Sequence, residues 1–158
     1  MSFILQQQRG EDCLGAFERY RAYLSSVRGN FPRSAFQLAT SEWYFSGDDS
    51  RSPHDARLDC VTIAEIPEHT RSVPRPVSIR IKLLLAHGGQ SAEFFYPEVF
   101  RYTLDARPDP SGHCDWRYDE FRLSTAGRVV HEIEWCGATD TGRWIIDASD
   151  VHFTVQKA

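Results

Sequence analysis

The chain has 158 residues, 41% of them hydrophobic, with 18 basic and 22 acidic side chains and a formal charge of -4. That is long enough to bury a core without disulfide or metal staples, and too evenly charged for a protein that draws its affinity from neutralising nucleic-acid phosphates. The longest apolar run, Leu83–Ala86, is far short of the ~18 residues that a membrane-spanning helix needs. Met1–Arg9 lacks the basic-then-apolar order of a signal peptide, so a cytoplasmic location is expected, with neither membrane nor nucleic acid as partner.

From Asp12 to Val27, Leu14, Phe17, Tyr20, Leu24 and Val27 recur at helical intervals behind a suitable N-cap, Asp12. Gly29-Asn30 ends this helix, and Pro32 opens a shorter one that packs through Ala35, Leu38 and Ala39. The aromatic cluster Trp43-Tyr44-Phe45 follows, and Ser46–Pro53 has loop composition. Beyond Pro53 the period becomes twofold. Leu58, Cys60, Thr62, Ala64 and Ile66 alternate with Asp59, Val61, Ile63 and Glu65 in a first strand. Pro67 stops it, and Arg71–Pro76 reads as a proline-punctuated connection. Ile79, Ile81, Leu83 and Leu85 share one face of the next strand, and His87-Gly88-Gly89-Gln90 turns the chain back through Ala92–Tyr96. Pro97 divides that segment from a strand carrying Phe100, Tyr102 and Leu104, and Asp109–Gly112 is turn chemistry.

Trp116–Leu123 forms a further strand. If Thr125-Ala126-Gly127 is a three-residue loop with Gly127 left-handed, Phe121 and Leu123 fall on the face of Val129, Ile133 and Trp135. Tyr118, Glu120, Arg122, Glu132 and Glu134 then share the other face. A glycine turn at Thr139–Gly142 leads to Trp144–Asp147, and Val151, Phe153 and Val155 close the chain as a last strand. The predicted fold is α+β in a single domain, 1–158. A helical part, 11–45, packs on a twisted antiparallel sheet of about seven strands, 56–156, which could curl into a half-barrel.

Several residues could carry chemistry. His54-Asp55 in Ser52–Ala56 could ligate a metal or act as acid and base, but a lone pair at a strand entry is better read as a structural tie that orients the imidazole and holds the loop. Glu120 with Glu132 or Glu134 could form the paired carboxylates of a hydrolase, although nothing marks a pocket around them. His113-Cys114-Asp115 are contiguous, so in a strand their side chains diverge. The spacings of Cys13, Cys60, Cys114 and Cys136 fit neither a zinc ribbon nor a redox pair, so free thiols are expected. No metal ligand set and no cofactor motif stands out, and none is predicted.

The step Ser52-Pro53-His54-Asp55-Ala56, the alternating strand Arg57–Ile66 and the Phe94–Leu104 strand pair resemble small β-rich bacterial immunity-type proteins of polymorphic toxin systems. The resemblance implies a non-enzymatic protein that neutralises a toxin by binding it directly. Asp119, Glu120, Arg122, Glu132 and Glu134 would then be its contact face, an acidic, arginine-flanked surface suited to a basic partner. The alternatives are a half-barrel that binds a small apolar ligand and a carboxylate- or metal-dependent hydrolase. Exposed edge strands leave a homodimer open.

Overall fold

The computed structural model describes residues 2–5, 9–65, 75–106, 110, 112–137 and 141–157. Ile66 and Pro67, most of the Arg71–Pro76 connection, half of the Asp109–Gly112 turn and the start of the Thr139–Gly142 turn lie outside the described residues.

Helix α1 spans Cys13–Val27, and the Asp12 side chain caps it by accepting from the Gly15 amide at 3.0 Å. Its buried face is Ala16, Tyr20 and Leu24. Leu14, expected on the packing face, is 82% exposed. The i, i+4, i+8 row that begins at Ala16 sets the face, and a residue two positions earlier points about 200° away from it. A short 3₁₀ turn, Arg28–Asn30, separates α1 from α2, Arg33–Ala39. Pro32 precedes α2, as its fixed φ favours, and the Asp150 carboxylate caps it from a distance by accepting from the Ser34 and Ala35 amides at 3.2 and 2.9 Å.

Among the described residues seven strands form one antiparallel sheet: β1 Arg57–Glu65, β2 Val77–Leu84, β3 Gln90–Asp105, β4 Asp115–Leu123, β5 Val129–Cys136, β6 Thr141–Ala148 and β7 His152–Lys157. The order is β2-β1-β4-β5-β6-β3-β7, and β2 also pairs with β3, so the hydrogen-bonded ladder returns to its own start. The fold is α+β and dominated by its sheet.

One expectation about the strands needs correction. Pro97 does not divide β3, which runs unbroken for 16 residues. Its pairing with β2 jumps from Tyr96↔Ile79 to Val99↔Val77, so Pro97 sits where no β2 partner requires an N–H. The N-terminal part of β3 lies between β2 and β7, and its C-terminal part pairs with β6. In β1 the register shifts between Leu58 and Cys60, after which Val61 opposes Ile81 and Ile63 opposes Ile79. Beyond that bulge Val61 is half-buried, while Cys60, Thr62, Ile63, Ala64 and Glu65 are exposed.

The interior is filled by rings. Trp116, Trp135, Tyr20, Tyr44, Tyr96, Phe94 and Phe121 are all fully buried, and Phe94 stacks on Trp116 with ring centroids 4.9 Å apart. Ile79, Ile81 and Leu83 are buried on one face of β2, as their spacing predicts, and Leu85 just beyond it is buried too.

Candidate functional site

The β4–β5 hairpin positions the residues that sequence reasoning singled out. Gly127 adopts φ +74°, its amide donates to the Ser124 carbonyl, and the Ser124 amide donates to the Arg128 carbonyl. The resulting register pairs Leu123 with Val129, Phe121 with His131 and Glu120 with Glu132, which is the facing arrangement expected from a left-handed Gly127. Asp119 opposes Ile133, so strand alternation puts it on the face of Phe121 and opposite to Glu120, Arg122, Glu132 and Glu134. The five proposed contact residues therefore divide between two faces.

On the outer face Glu120 and Glu132 are buried, 0% and 3% exposed. Arg122 pairs with both, through Nε to Glu120 Oε1 at 3.0 Å and through Nη2 to Glu132 Oε2, and Arg143 pairs with Glu132 Oε1. Two carboxylates and two guanidiniums make this cluster neutral in sum. The N-terminal segment closes over it: the Phe3 and Ile4 amides donate to Glu120 Oε2 at 2.7 and 3.0 Å, and Ser2 Oγ donates to Glu132. Phe3 stacks on Tyr23 at 4.8 Å, while Ile4 and Leu5 are buried. The acidic, solvated surface expected here is thus covered by the protein's own chain and neutralised from within. Glu134, half-buried beyond this cover, lies between Tyr118 and Arg143 on the neighbouring strands. The signal that could have revealed the cover is the apolar Phe3-Ile4-Leu5 run, which has no helix to bury it.

Asp119 belongs to a buried network on the inner face. It accepts from the Tyr44 hydroxyl, from Trp116 Nε1 at 2.9 Å and from His131 Nε2 at 2.8 Å. Tyr96 Oη lies 2.6 Å from His131 Nδ1. Burial lowers the His131 pKa, against an opposing pull from Asp119. A neutral ring satisfies every contact: Nε2–H donates to Asp119, and Nδ1 accepts from Tyr96. Burial also pushes the Tyr44 and Tyr96 hydroxyls well above the ordinary phenol range, with Asp119 adding to the effect. Asp, His and Tyr are catalytic residue types, but here they are packed on one another beneath Phe94, Phe121 and Trp116, and His131 stacks on Phe121 at 4.0 Å. The arrangement fixes β4, β5, β3 and the Trp43–Phe45 segment together. Sequence reasoning missed it because Tyr44, Tyr96 and His131 meet only through tertiary pairing.

His54 and Asp55 stand just before β1. Asp55 has φ +60°, a conformation that Asp tolerates better than most residues. Its amide donates to the Trp116 carbonyl at 2.8 Å, and the Trp116 amide donates to the Ala56 carbonyl at 2.9 Å. These bonds sit where β1 meets β4, whose one register pair is Arg57↔Asp115. The Asp55 carboxylate lies 3.3 Å from His54 Nδ1 and also accepts from Arg117. His54 packs edge-on against Tyr118 at 5.6 Å.

Among the described residues no group of three or more His, Cys, Asp or Glu side chains converges as a metal site would, and no helix is long and apolar enough to cross a membrane. None of the four cysteines forms a disulfide. The exposed part of the outer face lies beside the covered cluster, on β5, β6 and the C-terminal part of β3. There Phe100 is 48% and Ile145 37% exposed, with Arg101 and Thr103 also exposed and Val130 half-buried. Arg128 grips both oxygens of Asp147 at 2.9 Å and lies over the Phe100 ring at 4.1 Å. Comparison with known proteins finds no matching family model, no matching curated protein and no matching solved structure.

Proposed function

We propose that this chain is a non-enzymatic cytoplasmic binding protein of the immunity type, which acts by engaging a protein partner directly. Its contact face is the exposed outer surface of β5, β6 and the C-terminal part of β3. The observation that carries this reading is the exposed set Phe100, Arg101 and Ile145 on rigid, paired strands. Aromatic rings, arginines and aliphatic anchors of this kind dominate protein interfaces. Because Arg128 occupies the Asp147 carboxylate, Arg101, opposite Asp147 on the neighbouring strand, faces the partner as a cation. The partner surface is therefore acidic, the reverse of the basic one expected from Glu120 and Glu132.

The covered carboxylates argue against a hydrolase. Glu120 Oε2 is held by two backbone amides and Glu132 by two arginines, so neither is placed to exchange a proton with a substrate. The ring-filled interior argues equally against an apolar ligand inside the sheet, while the ladder's return from β3 to β2 supports the half-barrel arrangement. The Ser52–Ala56 strand entry, which the immunity resemblance rests on, serves as scaffold in this reading. Isothermal titration against the product of the gene beside its own tests the proposal. Saturable binding that weakens at least about tenfold, roughly 1.4 kcal/mol, in Arg101→Glu and Ile145→Asp supports it. No binding, or unchanged affinity in both variants, overturns it.

A further inference from the structure

We infer that the free edge of β1 pairs with the same edge of a second copy of this chain, as an antiparallel strand pair centred on Ile63. The surface involved is separate from the face on β5, β6 and the C-terminal part of β3. β1 meets β4 at one register pair, Arg57↔Asp115. Beyond that pair it has β2 on one side and, among the described residues, no strand on the other. The β4 side of this gap is closed: Tyr20 Oη donates to the Phe121 carbonyl and accepts from the Phe121 amide, and the Leu123 amide donates to Tyr23 Oη. The β1 side is open. Cys60, Thr62, Ile63, Ala64 and Glu65 are exposed, Ile63 to 43%. Sheet proteins guard such an edge with charge, proline or a bulge. Here the bulge and Asp59 stand at one end and Glu65 at the other, and residues 60–64 between them are uncharged and mostly β-branched.

The ladder fixes which groups are on offer. The Leu85 amide donates to the Gln90 carbonyl of β3, so alternation turns the backbone groups of Leu84, Lys82, Arg80 and Ser78 towards β1. Their partners Cys60, Thr62 and Ala64 bond inwards to β2, and Ser78 Oγ accordingly donates to the Ala64 carbonyl at 3.5 Å. Val61, Ile63 and Glu65 are left with N–H and C=O directed out of the edge. A two-fold axis matches these groups with themselves, and charge and space select its position. Centred on Val61, it would set Glu65 of one copy against Arg57 of the other, a place that Asp115 already occupies. Centred on Thr62, it would set Glu65 beside Asp59, like charge against like. Centred on Ile63, it opposes Ile63 with Ile63, Thr62 with Ala64 and Val61 with Glu65. That register uses only residues beyond the bulge, satisfies the outward groups of all three residues and covers the exposed Ile63 side chain. Registers further along lose pairs.

Pairing along residues 61–65 alone buries less than the ~1,200 Å² of a stable complex, so the dimer is weak and reversible. Sedimentation velocity should follow its formation between about 10 µM and about 1 mM protein, the range of affinity that so small an interface supports. Ile63→Lys should weaken association at least about tenfold by opposing two cations at the axis. Leu84→Lys, at a side chain 51% exposed on β2 and away from the edge, should leave it unchanged. Near-UV circular dichroism and Tm, unchanged in both variants, show that the fold is intact. The register is read by cross-linking in a Cys13→Ser, Cys60→Ser background, where a mild oxidant should join Thr62→Cys to Ala64→Cys as a mixed disulfide dimer in preference to linking either variant to itself. A monomer throughout the concentration range, association that Ile63→Lys leaves unaltered or Leu84→Lys weakens equally, or self-linking in preference to the mixed dimer overturns the inference.

Discussion

Asp119→Ala is the perturbation that most sharply separates a buried scaffold from a surface contact. In the native protein this carboxylate is 3% exposed and accepts from Tyr44, Trp116 and His131. Truncation leaves three buried donors without an acceptor, each costing about 1–3 kcal/mol. Water entering the vacated space recovers part of that, which places the expected loss at about 4 kcal/mol, among the large effects for a single substitution. For a chain of this length the corresponding fall in Tm is about 8–16 °C. Urea unfolding followed by tryptophan fluorescence measures it, since Trp116 reports on the network directly. Glu134→Ala, at a half-buried position outside the network, is the comparison and should cost less than about 1 kcal/mol. If Asp119→Ala proves as mild as Glu134→Ala, the network is not what holds β4 and β5 to the Trp43–Phe45 segment, and the account of the inner face fails.

The His131 environment sets a pH dependence. Burial depresses its pKa below the ordinary 6.5, so as pH falls through that value the unfolded chain binds a proton that the native state refuses. The associated stability is present above about pH 6.5 and is lost progressively below it. Unfolding free energies from pH 7.5 to 5 should show this slope, and His131→Gln should flatten it; an identical slope in both proteins contradicts the assignment. Glu120→Ala should release the N-terminal segment, seen as lost hydrogen-exchange protection at the Phe3 and Ile4 amides, with about 3 kcal/mol of destabilisation from a broken buried pair; retained protection would show that another group holds the segment. Gly127→Ala meets open space but keeps φ +74°, so chemical denaturation should register only the left-handed penalty of about 1–2 kcal/mol, and a neutral result would mean that the loop adopts another conformation.

Much of the fold was legible because local patterns carried it. The Asp12 cap, the Pro32 start, the Ile79–Leu85 alternation and the Gly127 loop each depend on residues close in sequence, and all appear where those residues place them. Asp119 was misplaced by grouping it with Glu120 and Arg122 in one contact face, although strand alternation separates it from both. Bulges were not legible. The shifts at Leu58/Cys60 and Trp116/Tyr118 break the twofold alternation at one point in each strand, and no single residue type marks where. Burial of the glutamates was hidden for a similar reason. Their cover comes from residues 2–5, more than 110 positions away in the chain, and a charged alternating strand reads the same whether water or another segment lies above it.

A hydrogen-exchange footprint of the complex with the product of the neighbouring gene shows whether a protein partner sits on the exposed β5–β6–β3 face. Exchange should slow over residues 100–103 and 143–147, with α1 unaffected. Protection confined to α1 and the segment after α2, with 100–103 and 143–147 unchanged, would contradict that placement.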